Sequence, residues 1–287
     1  MRKKNRKASK VRILLYLLIF ACLAGIVYSG YRIYGIQTEY SKGERLYADI
    51  RNEVDVDRNI PGADGLPDEP RDDVKGPASS VPADQPEVAQ ANSAVVEGKA
   101  QALLPASQMD FEKLKGLNPD AVAWITIEGT EIDYPVVQGK DNEFYLEHLF
   151  SGEYGIAGSI FMEMTNTPDF SDQNTIIFGH HMNNGSMFAN LDKYRSQKYY
   201  DEHPVMTLYT PQGDYLVEWF AGYAITAAPI PTVFGNDAAF EEYVEQAVRK
   251  SNFKTNVEVL QADQIITLCT CSYVSDDARY ILVGVLK

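Results

Sequence analysis

The sequence predicts a mainly β protein, a closed or nearly closed antiparallel barrel with a few inserted helices, behind one N-terminal transmembrane helix. Three observations carry this prediction. Short runs rich in Val, Ile, Tyr and Phe recur from Met109 to the C-terminus, separated by turn residues, as strands require. Helical spacing interrupts those runs at only a few places. Ahead of them, a basic cluster precedes an unbroken apolar run near the start of the chain.

Arg2, Lys3, Lys4, Arg6, Lys7, Lys10 and Arg12 form that cluster, with no acidic residue among them. Ile13 to Tyr28 is apolar, and a helix from Val11 to Ser29 approaches the ~20 residues that a bilayer core requires. A basic flank stays on the cytoplasmic side. Residues 1–10 are therefore expected as a cytoplasmic tail and 11–29 as a single-pass signal-anchor in the cell membrane, with the rest of the chain outside. A cleaved signal peptide fits less well, because Val27-Tyr28-Ser29-Gly30 is a poor cleavage site. A lipid anchor at Cys22 meets bulky Phe20 two residues before it, and apolar residues continue beyond.

Residues 30–60 space Leu46, Ile50 and Val54 loosely as a helix and read as a juxtamembrane helix or stalk. Residues 61–107 are rich in Pro, Ala, Gly, Ser and Asp and hold no aromatic residue. Such a segment buries too little apolar surface to offset its ordering entropy, so a flexible acidic linker is expected. Residues 108–287 form the folded domain. Its predicted strands are 122–127, 132–137, 159–162, 175–178, 205–210, 214–226, 264–271 and 279–286, the first two split by the turn Glu128-Gly129-Thr130. Helical patterns cover 110–114, 142–149, 187–193 and 238–250. The last puts Phe240, Tyr243, Val244 and Ala247 on one face.

The formal net charge of −14 argues against a nucleic-acid partner. Three cysteines, Cys22, Cys269 and Cys271, are too few for a disulfide scaffold. The late pair is the more informative. Thr267-Leu268-Cys269-Thr270-Cys271 ends an apolar strand, and alternation puts both cysteines on one face. Cys271, at the strand end before a polar loop, is the better exposed for nucleophilic attack as a thiolate. A disulfide between the two would close a strained small loop and abolish that thiolate.

His180 follows the apolar run Ile176-Ile177-Phe178 and Gly179, where a buried strand emerges into a loop. A histidine there suits proton transfer near neutrality; a hydrogen-bonding surface histidine fits the same position, and His148 and His203 are read that way. Arg279 opens the last strand. If that strand pairs antiparallel with 264–271, Arg279 comes beside Cys271, its guanidinium fork free to donate; an exposed ion pair with Asp276 or Asp277 is the alternative. A Cys₂His₂ zinc site is disfavoured, because His180 and His181 point to opposite sides and C-x-C is tighter than structural zinc spacing. No metal and no cofactor are expected.

Taken together, Ile176 to His180, the strand Thr267 to Cys271 and Arg279 eight residues later resemble the sortase family. Trp124-Ile125, Ile132 to Gln138, Phe144-Tyr145-Leu146, Gly158 to Met162, Gly185 to Phe188 and the inserted 238–250 helix are similar to class B sortases. The resemblance covers roughly Met109 to Lys287. It implies an eight-stranded sortase barrel and a cysteine transpeptidase that cleaves a C-terminal sorting signal of secreted proteins through a thioester. An amine on a peptidoglycan precursor then takes the acyl group. On that resemblance Cys271 is the nucleophile, His180 the acid–base partner and Arg279 the oxyanion donor, with Cys269 and Thr270 as substrate-contact candidates. Cys269 departs from the serine often found there. The alternatives are a pilin-polymerising sortase with a lysine acceptor, a hydrolytic cysteine protease, and an inactive membrane-tethered binding barrel. The Pro67-Asp68-Glu69-Pro70 stretch lacks the aromatic of a pilus-type lid.

Overall fold

The computed structural model describes residues 2–54, 109–226, 229–271 and 278–287, without the side chains of residues 2–14, 271 and 278. The expected linker, its Pro67–Pro70 stretch, and Asp276 and Asp277 lie outside the described residues.

Eight strands close into a barrel: β1 (Ala121–Thr126), β2 (Asp133–Val137), β3 (Ile160–Met162), β4 (Asn174–His180), β5 (Val205–Thr210), β6 (Gly213–Thr226), β7 (Ile265–Cys271) and β8 (Ala278–Leu286). Their order around the barrel is β1-β2-β3-β4-β7-β8-β6-β5, with β5 returning to β1. The expectation of a wholly antiparallel barrel is corrected at two seams. β2 pairs parallel with β3, and β4 pairs parallel with β7. A parallel pair needs a long crossover, and both connections are long: residues 138–159 link β2 to β3, while β5, β6 and an inserted helix lie between β4 and β7.

Among the described residues, four α-helices accompany the barrel: α1 (Arg2–Val54), α2 (Phe111–Leu117), α3 (Gln197–Glu202) and α4 (Asp237–Lys250). In α4, Asn236 caps the N-terminus by accepting from the Ala239 amide at 3.0 Å, and Arg249 and Lys250 complement the dipole at the other end. Its Phe240 and Ala247 seal a second apolar cluster with Ile176, Phe220, Ile265, Cys269 and Ile281. The helix expected over 142–149 is only a 3-10 turn, Phe144–Leu146, and the one expected over 187–193 is a 3-10 helix, Phe188–Arg195. In the first, Asp141 accepts from the Glu143 and Phe144 amides, a local turn that competes with regular helix.

α1 runs unbroken from the basic cluster to Val54. Every side chain from Leu15 to Thr38 is exposed, whereas Tyr47, Ile50 and Val54 are buried in the main core. The docking face therefore centres on Tyr47 and Ile50 rather than Leu46, which is only partly buried. Burying three such side chains stabilises the docked helix by roughly 1.5–3 kcal/mol each. Lys42–Glu153 (2.9 Å), Arg51–Asp133 (3.6 Å) and Lys113 Nζ donating to the Glu53 carbonyl (2.6 Å) fix its line along the barrel.

Candidate active site

His180 is the last residue of β4, and its Cα partner across the parallel seam is Cys271, the last residue of β7. On the other side of β7 the antiparallel register runs from Ile265↔Val285 to Cys269↔Ile281. Continued by one more alternating pair, it puts Arg279 opposite Cys271. Adjacent strands lie about 4.8 Å apart, so positions 180 and 271 sit side by side on β4 and β7, with Arg279 on the next strand, β8. Pleat parity puts His180 and Arg279 on the face of Ile176 and Ile281, which belong to the cluster under α4. The side chain of Cys271 lies outside the described residues.

The imidazole of His180 is 2% exposed, and its Nε2 lies 2.6 Å from the carbonyl oxygen of Leu146. A carbonyl only accepts, so Nε2 carries a proton and proton exchange falls to Nδ1. His181 turns elsewhere, with Nε2 3.0 Å from an Asp192 carboxylate oxygen on the Phe188–Arg195 helix. The two rings thus engage different elements. His148 stacks on Phe144 at 3.9 Å between ring centroids, and His203 meets the Glu128 carbonyl. Arg279 is half-buried and paired through β6 with Ile225.

Cys269 and Thr270, the substrate-contact candidates, are both buried. Cys269 is fully buried beneath α4, and Thr270 is 3% exposed. The Thr270 hydroxyl is already engaged with β8: it accepts from the Tyr280 amide at 2.8 Å and donates to the Tyr280 carbonyl at 3.3 Å. Neither side chain faces solvent. Burial of an uncharged sulfur costs nothing in hydrogen bonding, which is why cysteine rather than a polar residue is comfortable there.

Sequence reasoning missed the carbonyl of Leu146, because a main-chain acceptor leaves no side-chain signature. It also missed Gly158, whose φ of +57° allows the chain to press against the Tyr145 and Leu146 carbonyls.

A family model described as the sortase domain matches residues 125–287. This chain belongs to the sortase family. Sortase B of Listeria monocytogenes is 42% identical over 181 residues, 62% of this chain and 74% of that protein. Sortase B of Staphylococcus aureus is 35% identical over 202 residues, 68% and 83% of the two chains. Among solved structures, Bacillus anthracis sortase B superposes with a TM-score of 0.67 at 28% identity, covering 88% of this chain and 99% of its own. A Staphylococcus aureus sortase B–substrate complex gives 0.60 at 35% identity, covering 62% and 84%. Membership makes this sortase a cysteine transpeptidase, and its eight-stranded barrel is the one found in those relatives.

Proposed function

We propose that this sortase is anchored in the cell membrane by residues 11–29, N-terminus inside, and joins secreted proteins to an amine of the peptidoglycan precursor. The protein substrate carries a C-terminal sorting signal, cut through a thioester on Cys271. The observation that supports this most directly is the register that pairs His180 with Cys271 across β4 and β7, with Arg279 on the neighbouring strand β8. A substrate complex of Staphylococcus aureus sortase B, 35% identical, supports a peptide-bearing partner.

The reaction follows from these groups. The Cys271 thiolate attacks the scissile carbonyl carbon, forming a C–S bond as the π electrons move to oxygen, and Arg279 donates to that oxyanion. Collapse breaks the C–N bond, and the leaving amine takes the Nδ1 proton of the His180 imidazolium. The acceptor amine then attacks the thioester, gives its proton to Nδ1 and releases the thiolate. The imidazolium–thiolate pair is thereby restored without any other reactant.

Mass spectrometry of full-length protein incubated with a library of sorting-signal peptides tests the reading. An acyl adduct on Cys271, lost in Cys271→Ala, is expected. An adduct on Cys269, or turnover by Cys271→Ala at the native rate, would overturn it.

A further inference from the structure

We propose that Gly158 and Tyr47 are positioning residues for His180, which makes α1 part of the catalytic apparatus as well as its tether. The proposal rests on His180 being the acid–base group. One bond of its imidazole, at 2.6 Å, goes to the carbonyl of Leu146 at the end of a short 3-10 turn. A three-residue turn does not hold a carbonyl rigidly by itself, so what lies behind it matters.

Gly158 lies behind it. A Cβ at this position would come within 2.5 Å of the Leu146 oxygen and 2.7 Å of the Tyr145 oxygen, and the φ of +57° is itself one that side chains rarely adopt. The segment is stitched to the turn, because the Ser159 amide donates to the Tyr145 carbonyl at 2.9 Å and the Ser159 hydroxyl to the His148 carbonyl at 2.8 Å. From α1, the Tyr47 hydroxyl donates to the Gly158 carbonyl at 2.8 Å. Tyr47 is 2% exposed, and burial pushes its pKa upward, so the hydroxyl stays a donor. The same helix reaches the other flank of His180. Glu44 accepts from Asn184 at 2.9 Å, and Tyr134, packed edge-on against Tyr47, accepts from the Met187 amide at 3.1 Å. The chain of contact is thus Tyr47, Gly158, Leu146 carbonyl, His180 Nε2, with the following loop braced in parallel.

The chain holds four histidines, so full-length protein carrying ¹⁵N-imidazole histidine in detergent micelles gives a readable tautomer spectrum. Gly158→Ala should shift the His180 ring signals and move the histidine limb of the pH–rate profile. It should also lower kcat by about 10²-fold, the order expected of a displaced catalytic group, with KM little changed. Tyr47→Phe, which keeps the ring and deletes one hydrogen bond, should do the same by roughly three- to tenfold. Met206→Ala, buried on β5 and away from both α1 and β4, serves as the control: it should lower Tm and leave both the ring signals and the pH profile in place. Unshifted His180 signals and an unmoved pH profile in Gly158→Ala would overturn the proposal, as would a Met206→Ala variant that reproduces the shifts. The two readings separate cleanly. Full turnover in His180→Ala removes the acid–base role, whereas a silent ring in Gly158→Ala beside a dead His180→Ala removes only the positioning.

Discussion

Two cysteines two residues apart have opposite expected behaviours. Cys269 is sealed under α4, whereas position 271 ends its strand beside His180. Cys269→Ala should therefore keep most turnover and lose about 1 kcal/mol of stability from the small cavity, while Cys271→Ala should lose all measurable turnover. Peptide-cleavage kinetics beside thermal melts check both, and equal losses in the two variants would contradict the assignment. Arg279→Lys is expected to fail as a replacement, because an ammonium cannot reproduce the planar fork that holds an oxyanion. The loss should be on the order of 10²–10³ in kcat, and near-native kcat/KM would count against that role. At this scale the sequence was informative where chemistry needs a side chain. His180, Cys271 and Arg279 stand out by type and by strand-end position. The Leu146 carbonyl does not, and Thr270 stands out only as a substrate-contact candidate, with no sign that its hydroxyl staples β7 to β8.

At the level of elements, the strands were legible because β-branched and aromatic residues alternate between turn residues. β5 falls where the alternation put it, and β1, β2, β6, β7 and β8 agree to within one residue at each end. Pairing direction was not legible, since periodicity marks a strand without naming its neighbour. The parallel β4–β7 seam matters most, because it alone makes His180 and Cys271 direct partners. α3 (Gln197–Glu202) also escaped, being too short and polar to show a period. Gly179 is where the seam meets the core: a Cβ there would collide with Ile160 and come within 2.8 Å of Phe188. Gly179→Ala should push β4 outward at its functional end. A stability loss of about 1–3 kcal/mol is expected from overpacking, with a fall in kcat larger than that of any equally destabilising change elsewhere in the barrel. Melting curves and kinetics measured together decide this, and a variant that loses stability with native kcat would show the strand end to be free of the strain.

For the whole molecule, the decisive feature is that the apolar N-terminal stretch and the docked face of Tyr47, Ile50 and Val54 belong to one continuous helix. The sequence revealed the apolar run and a loose helical spacing after it, but not their continuity, because docking depends on Gly43 lying close to Ala157 and Leu149 and on Tyr47 reaching the Gly158 carbonyl. If residues 11–29 span the bilayer, the helix rises about 27 Å between Ser29 and Tyr47 at ~1.5 Å per residue. His180, tied to Tyr47 through Gly158, would then work at a set height above the membrane, whereas a flexible stalk would sample a range. Inserting seven helix-forming residues between Tyr31 and Arg32, where side chains are fully solvent-facing, adds about 10 Å and nearly preserves the docking phase, being close to two turns. Cleavage of a soluble sorting-signal peptide should not change. Transfer to a lipid-linked amine in reconstituted vesicles should fall severalfold, and a glycine–serine insert of the same length should recover part of it by letting the barrel bend back toward the bilayer. Equal transfer by all three proteins would mean that height above the membrane has no part in acceptor choice.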